Sequence, residues 1–80
     1  VIKYHLPAGK KGNVKLVIYN SAGEKVRTLD EGIRDGGYVY YSEWDGRNDK
    51  NEKCASGVYF LIAYINGDKT GGVHKMAIIK

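Results

Sequence analysis

The stretch that decides the fold is Gly57-Val58-Tyr59-Phe60-Leu61-Ile62-Ala63-Tyr64-Ile65, closed by Asn66-Gly67-Asp68. Val58 to Ile65 is apolar or aromatic throughout and rich in the residues that suit a pleated, packed surface. A glycine opens it and Asn-Gly follows it, a pair that tolerates the positive φ angles of a tight hairpin turn. The segment predicts a strand and then a hairpin. A strand with one solvated face alternates apolar with polar residues, and this one does not. Tyr59, Leu61, Ala63 and Ile65 form one apolar set, Val58, Phe60, Ile62 and Tyr64 the other. Two explanations stay open: a central strand buried on both sides of a tight sandwich, or a face reserved for a partner.

Upstream, Val14 to Asn20 sets Val14, Leu16 and Ile18 against Val17 and Tyr19, and Ser21-Ala22-Gly23-Glu24 supplies a turn into a second hairpin strand, Lys25 to Leu29. At the start, Ile2, Tyr4 and Leu6 alternate with Val1, Lys3 and His5 until Pro7 ends the strand. Asp30 to Gly37 is polar and glycine-bearing and reads as a crossing loop. It leads to Tyr38 to Trp44, where Tyr38, Tyr40, Ser42 and Trp44 share a face. Asp45 to Glu52 is a dense polar loop, and Val73 to Ile79 is the last strand. Six or seven short strands without a helical period predict an all-β domain of two antiparallel sheets packed face to face. Leu16, Ile18, Trp44, Val58 and Phe60 are assigned to the core, with Trp44 as its anchor. Val17, Tyr19, Tyr59, Leu61 and Ile65 are assigned to a face that packs on a partner.

Length and charge narrow the function classes. The 80 residues suffice for a single domain, residues 1–80, with a modest core. Eleven glycines, one proline and seven tyrosines suit short strands joined by glycine turns. The single Cys54 excludes an intrachain disulfide. A net charge of +4 invites an anionic partner, yet the basic residues are spread among acids and form no basic groove, so nucleic acid is not expected. No apolar run is long enough to cross a bilayer as a helix. The first residue is not Met, and a mature form or an excised piece of a longer precursor is expected.

An ordered series of segments adds a family resemblance. These are Ile2-x-Tyr4-x-Leu6-Pro7, Val14-x-Leu16-x-Ile18-Tyr19-Asn20-x-x-Gly23, Val26-Arg27-Thr28-Leu29, Trp44-Asp45-Gly46-Arg47-Asn48-Asp49, Ala55-Ser56-Gly57-Val58-Tyr59-Phe60 and Lys75-Met76 with Lys80. Together they resemble the Ig-like domain named after the flagellar hook-capping protein, and are similar to the C-terminal sorting domains of the type IX secretion system. The resemblance implies an Ig-like antiparallel β-sandwich of about seven short strands, placed outside the cell or at its surface. It also implies a non-catalytic role in secretion sorting, surface anchoring or packing against neighbours. The 80 residues include neither the Asn-Pro segment that often precedes the first strand in such modules nor a cargo domain, so a self-associating structural subunit is the expectation if they are the whole mature protein.

Chemistry-bearing residues offer little else. His5 and His74 lie in opposite terminal strands with no motif tying either to a serine or to Cys54, so no enzyme and no cofactor is expected. Cys54 reads as a small apolar residue at a strand entrance, and one thiol makes no zinc site. Asp45, Asn48, Asp49, Asn51 and Glu52 could offer oxygen ligands to a hard cation, but their spacing matches no EF-hand, and Asp45-Gly46 reads more simply as a turn capped by the aspartate. Tyr38, Tyr40, Tyr41, Tyr59 and Tyr64 could form a carbohydrate platform or cross-strand pairs.

The expected partner is a protein: a cargo domain, an export or anchoring machinery, or further copies of the chain. A homopolymer, such as a filament or tube built by strand pairing at exposed edges, is the alternative function, and a carbohydrate-binding module a weaker one.

Overall fold

The computed structural model describes residues 2–6, 8–69 and 74–78. Among them stand seven strands and no helix: β1 (Ile2–His5), β2 (Lys11–Asn20), β3 (Lys25–Asp35), β4 (Val39–Ser42), β5 (Gly57–Ile65), β6 (Asp68–Lys69) and β7 (His74–Ile78). Every pairing is antiparallel. β1 and β4 form a two-stranded sheet, and β3, β2, β5 and β6 follow one another across the larger one. β7 lies along the same edge of β5 as β6, pairing with Gly57 to Leu61 while β6 pairs with Tyr64 and Ile65. The architecture is the all-β sandwich that the strand pattern predicts. Val1, Pro7, Val73 and Ile79, which the sequence assigns to the ends of the first and last strands, lie outside the described residues.

Register decides which apolar set of β5 is inside. Opposed residues of an antiparallel pair project to the same face, and here Val14 faces Ile65, Leu16 faces Ala63 and Ile18 faces Leu61. On β2 the alternatives to Val14 and Leu16 include Asn13 and Lys15, so its inward set is fixed by polarity and carries the odd-numbered residues of β5 with it. Tyr59, Leu61, Ala63 and Ile65 accordingly join Ile2, Tyr4, Leu6, Val14, Leu16, Ile18 and Cys54 in one buried cluster. The expectation for β5 is therefore reversed. Tyr59, Leu61 and Ile65 belong to the core and cannot form an outer face, whereas Val58 is 37% exposed and Phe60 is half-buried on the far side of the sheet. Leu16 and Ile18 have no exposed surface.

Two further expectations change. The presumed crossing loop after Asp30 continues as strand to Asp35, because register shifts between Val14 and Lys15 and between Ile18 and Tyr19 let β3 absorb extra residues as bulges. As the edge strand of the large sheet, β3 can be largely polar. Trp44 lies beyond the end of β4 and is only partly buried, so it closes one end of the core instead of anchoring its middle. Its indole ring meets Tyr59 edge-on at 5.4 Å, and its Nε1 donates to the Arg47 carbonyl at 2.8 Å. The polar handle that keeps Trp at a wet boundary is here satisfied by the neighbouring loop.

The seam between the two sheets carries one organised polar cluster. Glu31, on β3, accepts hydrogen bonds from the Tyr4 hydroxyl at 2.9 Å and the Ser42 hydroxyl at 3.0 Å, tying β3 to both strands of the small sheet. Tyr4 stacks on Tyr40 with centroids 5.6 Å apart, and the Arg34 guanidinium lies over the Tyr40 ring at the same distance. Burial, reinforced by the Glu31 carboxylate, pushes the Tyr4 hydroxyl up to about 12 from its ordinary 10.0.

Asn66 and Gly67 both take positive φ, 51° and 88°, as the turn from β5 to β6 requires. The Asn66 side chain also accepts the Asn13 amide at 3.0 Å, which pins this turn to the start of β2.

Candidate protein-binding face

The outer side of the large sheet is built from the residues between the inward ones. Val17 lies opposite Ile62, Tyr19 opposite Phe60, and Lys15 opposite Tyr64. Val17 is 8% exposed even though it stands outside the core cluster, because its neighbours on this face shelter it. Tyr19, Phe60, Ile62 and Tyr64 are each half-buried. The hydroxyls of Tyr19 and Tyr64 meet at 3.1 Å, a cross-strand bond between residues four positions apart in the register. That bond, and then burial, raises the Tyr19 pKa above its ordinary 10.0, since the bonded neutral pair is favoured over a phenolate. An open cleft lies on each side of the pair, one floored by Phe60 and Ile62 and the other by Val17.

Of the residues assigned to a partner face from the sequence, Val17 and Tyr19 lie on this outer side, while Tyr59, Leu61 and Ile65 point the other way. Phe60, Ile62, Tyr64 and Val58 take their place. The polar residues Asn13 and Lys15 mark the outward parity of β2, but carrying that parity to β5 takes the register between the two strands.

The Asp45 to Glu52 loop has a different task. Asp49 donates its amide to the Val26 carbonyl at 3.0 Å, and its carboxylate accepts the Thr28 amide at 3.1 Å and faces Arg27 at 3.8 Å. The loop thus occupies the open edge of β3 and covers backbone groups that would otherwise invite another strand. Asp45 accepts the Arg47 amide at 3.0 Å, as the turn reading predicts, and Glu52 accepts the Asn48 side-chain amide at 3.1 Å. Among the described residues, no group of three or more His, Cys, Asp or Glu is placed to hold a metal ion.

Within this loop the sequence reading missed a repeated device. Asn48 accepts the amides of Lys50 and Glu52 at 2.9 and 3.0 Å, just as Asn20 accepts those of Ala22 and Glu24 at 3.0 and 2.9 Å. Each turn has its fourth residue at positive φ, Asn51 at 63° and Gly23 at 82°, and each ends with a Glu accepting from the Asn amide. The signal was the pattern Asn-x-x-(Gly or Asn)-Glu occurring twice. The two turns lie side by side along a cleft that also reaches Cys54 and Tyr59. Tyr59 donates to the Ala55 carbonyl at 2.7 Å, and burial raises its pKa.

The five tyrosines considered as a sugar platform do not share a face. Tyr59 is inside, Tyr64 lies on the outer side of the large sheet, Tyr40 sits in the seam, and Tyr41, on β4, and Tyr38, just before it, are 67% and 63% exposed. His5, on β1, and His74, on β7, belong to different sheets.

A family model of the FlgD Ig-like domain matches residues 2–69, a span that runs from β1 through β6. The chain belongs to that family. No curated protein and no solved structure matches it. FlgD Ig-like domains are structural, non-catalytic modules, and the site geometry agrees in kind: it is a sheet face with shallow clefts, bordered by a capped edge. No helix among the described residues is long and apolar enough to cross a membrane.

Proposed function

We propose that this FlgD Ig-like domain is a non-catalytic packing module of an extracellular or cell-surface assembly, serving secretion sorting, surface anchoring or subunit packing. The observation that carries the reading is the outer side of the large sheet, where Val17, Phe60, Ile62 and the Tyr19–Tyr64 pair form a continuous apolar strip with no layer over it among the described residues. Family membership supports it, since FlgD Ig-like domains are structural modules related to flagellar hook assembly. The sorting form of the reading, in which the partner is export or anchoring machinery, comes from the resemblance of the sequence series to type IX sorting domains. Packing against copies of itself is the other form.

Sedimentation of the purified chain over a wide concentration range, with electron microscopy of the same samples, tests the reading. Ordered filaments or tubes that vanish in an Ile62→Ser variant make self-packing the role. A persistent monomer that is captured through the same face by a parent or machinery protein supports the sorting and anchoring form. Capture that survives Ile62→Ser and Val17→Ser unchanged rejects the face, and with it the proposal.

A further inference from the structure

The charge around the apolar strip narrows what can cover it. No Asp or Glu stands in β2 or β5, the two strands that carry the strip, or in β7 beside β5, and seven of the nine acids fall between Asp30 and Glu52. The clefts beside the Tyr19–Tyr64 pair are lined by Lys69 on one side and by Lys15 and Lys25 on the other, with no carboxylate in either lining. Lys75 lies opposite Phe60 on β7 and is exposed. None of these four lysines forms an ion pair among the described residues, in contrast to Lys11, which faces Asp35 at 3.7 Å. Asp30, across from Lys15 in the register, instead accepts the Gly32 amide two residues along its own strand.

From this arrangement we infer that the outer side of the large sheet docks an acidic, amphipathic segment of a partner protein. The inference rests on the packing reading above and adds the partner's chemistry. Large apolar side chains of the segment enter the clefts on either side of the tyrosine pair, and its carboxylates meet Lys15, Lys25, Lys69 and Lys75 at the rim. A basic or neutral segment would leave these ammonium groups facing like charge or losing water without a counter-charge. The strip from Val58 to Tyr64 is roughly 20 Å long at the strand rise, which corresponds to about six extended residues or nearly four helical turns. An anionic polysaccharide fits less well, because Tyr19 and Tyr64 commit their hydroxyls to each other and the floor between them is hydrocarbon.

Selection of a random-peptide display library on the immobilised chain tests the inference. The recovered sequences are expected to combine Asp or Glu with Leu, Ile or Phe. A synthesised winner should shift the amide resonances of Val17, Phe60 and Ile62, and should lose about tenfold or more in affinity in the triple variant K15E/K25E/K69E or at high salt. Recovery of uncharged apolar peptides on the same face would overturn the acidic partner but leave the packing reading intact. A footprint on any other face, or an affinity indifferent to both the lysine reversals and Ile62→Ser, defeats both. Failure to recover any sequence, with alginate binding in its place, overturns the protein partner in favour of an anionic polysaccharide.

Discussion

Leu61 and Ile62 are neighbours in the chain and isomers in side chain, yet Leu61 has no exposed surface and Ile62 is only half-buried. Leu61 lies opposite Ile18 with the small sheet above it, whereas Ile62 lies opposite Val17 on a side that no element among the described residues covers. Hydropathy is the same on both faces of β5. What differs is the layer stacked against each, and that is a property of topology. An apolar face in a small domain can therefore be core or contact surface, and the strand's own composition does not say which.

Truncating each residue in turn gives the largest contrast. Leu61→Ala is expected to destabilise by roughly 2 to 5 kcal/mol, since a cavity opens among residues that cannot collapse to fill it. Ile62→Ala should cost about 1 kcal/mol or less, because water already reaches the side chain. Urea unfolding of the two variants at low protein concentration measures both. Equal losses would break the comparison, and would mean that the outer side is covered in the isolated chain by a second copy.

The strand content, the turns at Gly23 and Asn66-Gly67 and the inward set of β2 were all legible in the sequence, because period-two polarity and positive-φ residues are local signals. The burial of Ile2, Tyr4 and Leu6 was legible for the same reason. The parity of β5 was not, since it has no polar residue to mark its outer side and is resolved only by register with β2 across a long connection. The continuation of β3 through Asp30 to Asp35 was hidden because an edge strand does not need apolar residues, and bulges blur its period. Trp44 drew weight as the largest side chain, but a residue just past a strand end meets solvent on one side. Of the candidate face, Val17 and Tyr19 were found by parity on a strand that does alternate. Phe60 and Ile62 were placed on the wrong side or left out, and the lysine rim became visible only once β2, β5 and β7 were known to be adjacent.

The inner side can be sharpened next through its polar seam. Tyr4 is 1% exposed and its hydroxyl, pushed up to about 12, favours the neutral form in the folded chain. Because the folded value lies above the ordinary 10.0, the associated stability is complete below about pH 10 and is lost as pH rises through about 12. The loss amounts to roughly 2 to 3 kcal/mol at full ionisation. Denaturant unfolding from pH 8 upward should show a falling midpoint in that window, and Tyr4→Phe should flatten the fall while lowering stability at pH 8 through loss of the bond to Glu31. A fall of the same steepness in parent and variant would show that Tyr4 ionises as readily in the folded chain as in the unfolded one.

The outer side offers the matching chemistry at its mildest. Tyr19 and Tyr64 share a hydroxyl bond of 3.1 Å, close in length to the 2.9 Å bond of Tyr4 to Glu31, but water has access to the rings and the acceptor is uncharged. A neutral bond that exchanges readily with solvent contributes about 0.5 to 1 kcal/mol, so Tyr19→Phe should fall at or below that range and less than Tyr4→Phe. Spectrophotometric titration gives an independent reading of the same bond. With Tyr64 replaced by Phe, the remaining Tyr19 hydroxyl loses the partner that raises its pKa and should ionise closer to 10.0. If Tyr19→Phe instead costs as much as Tyr4→Phe, the hydroxyl pair is shielded from water in the free chain, and the strip would already be closed over its clefts instead of standing open for a partner.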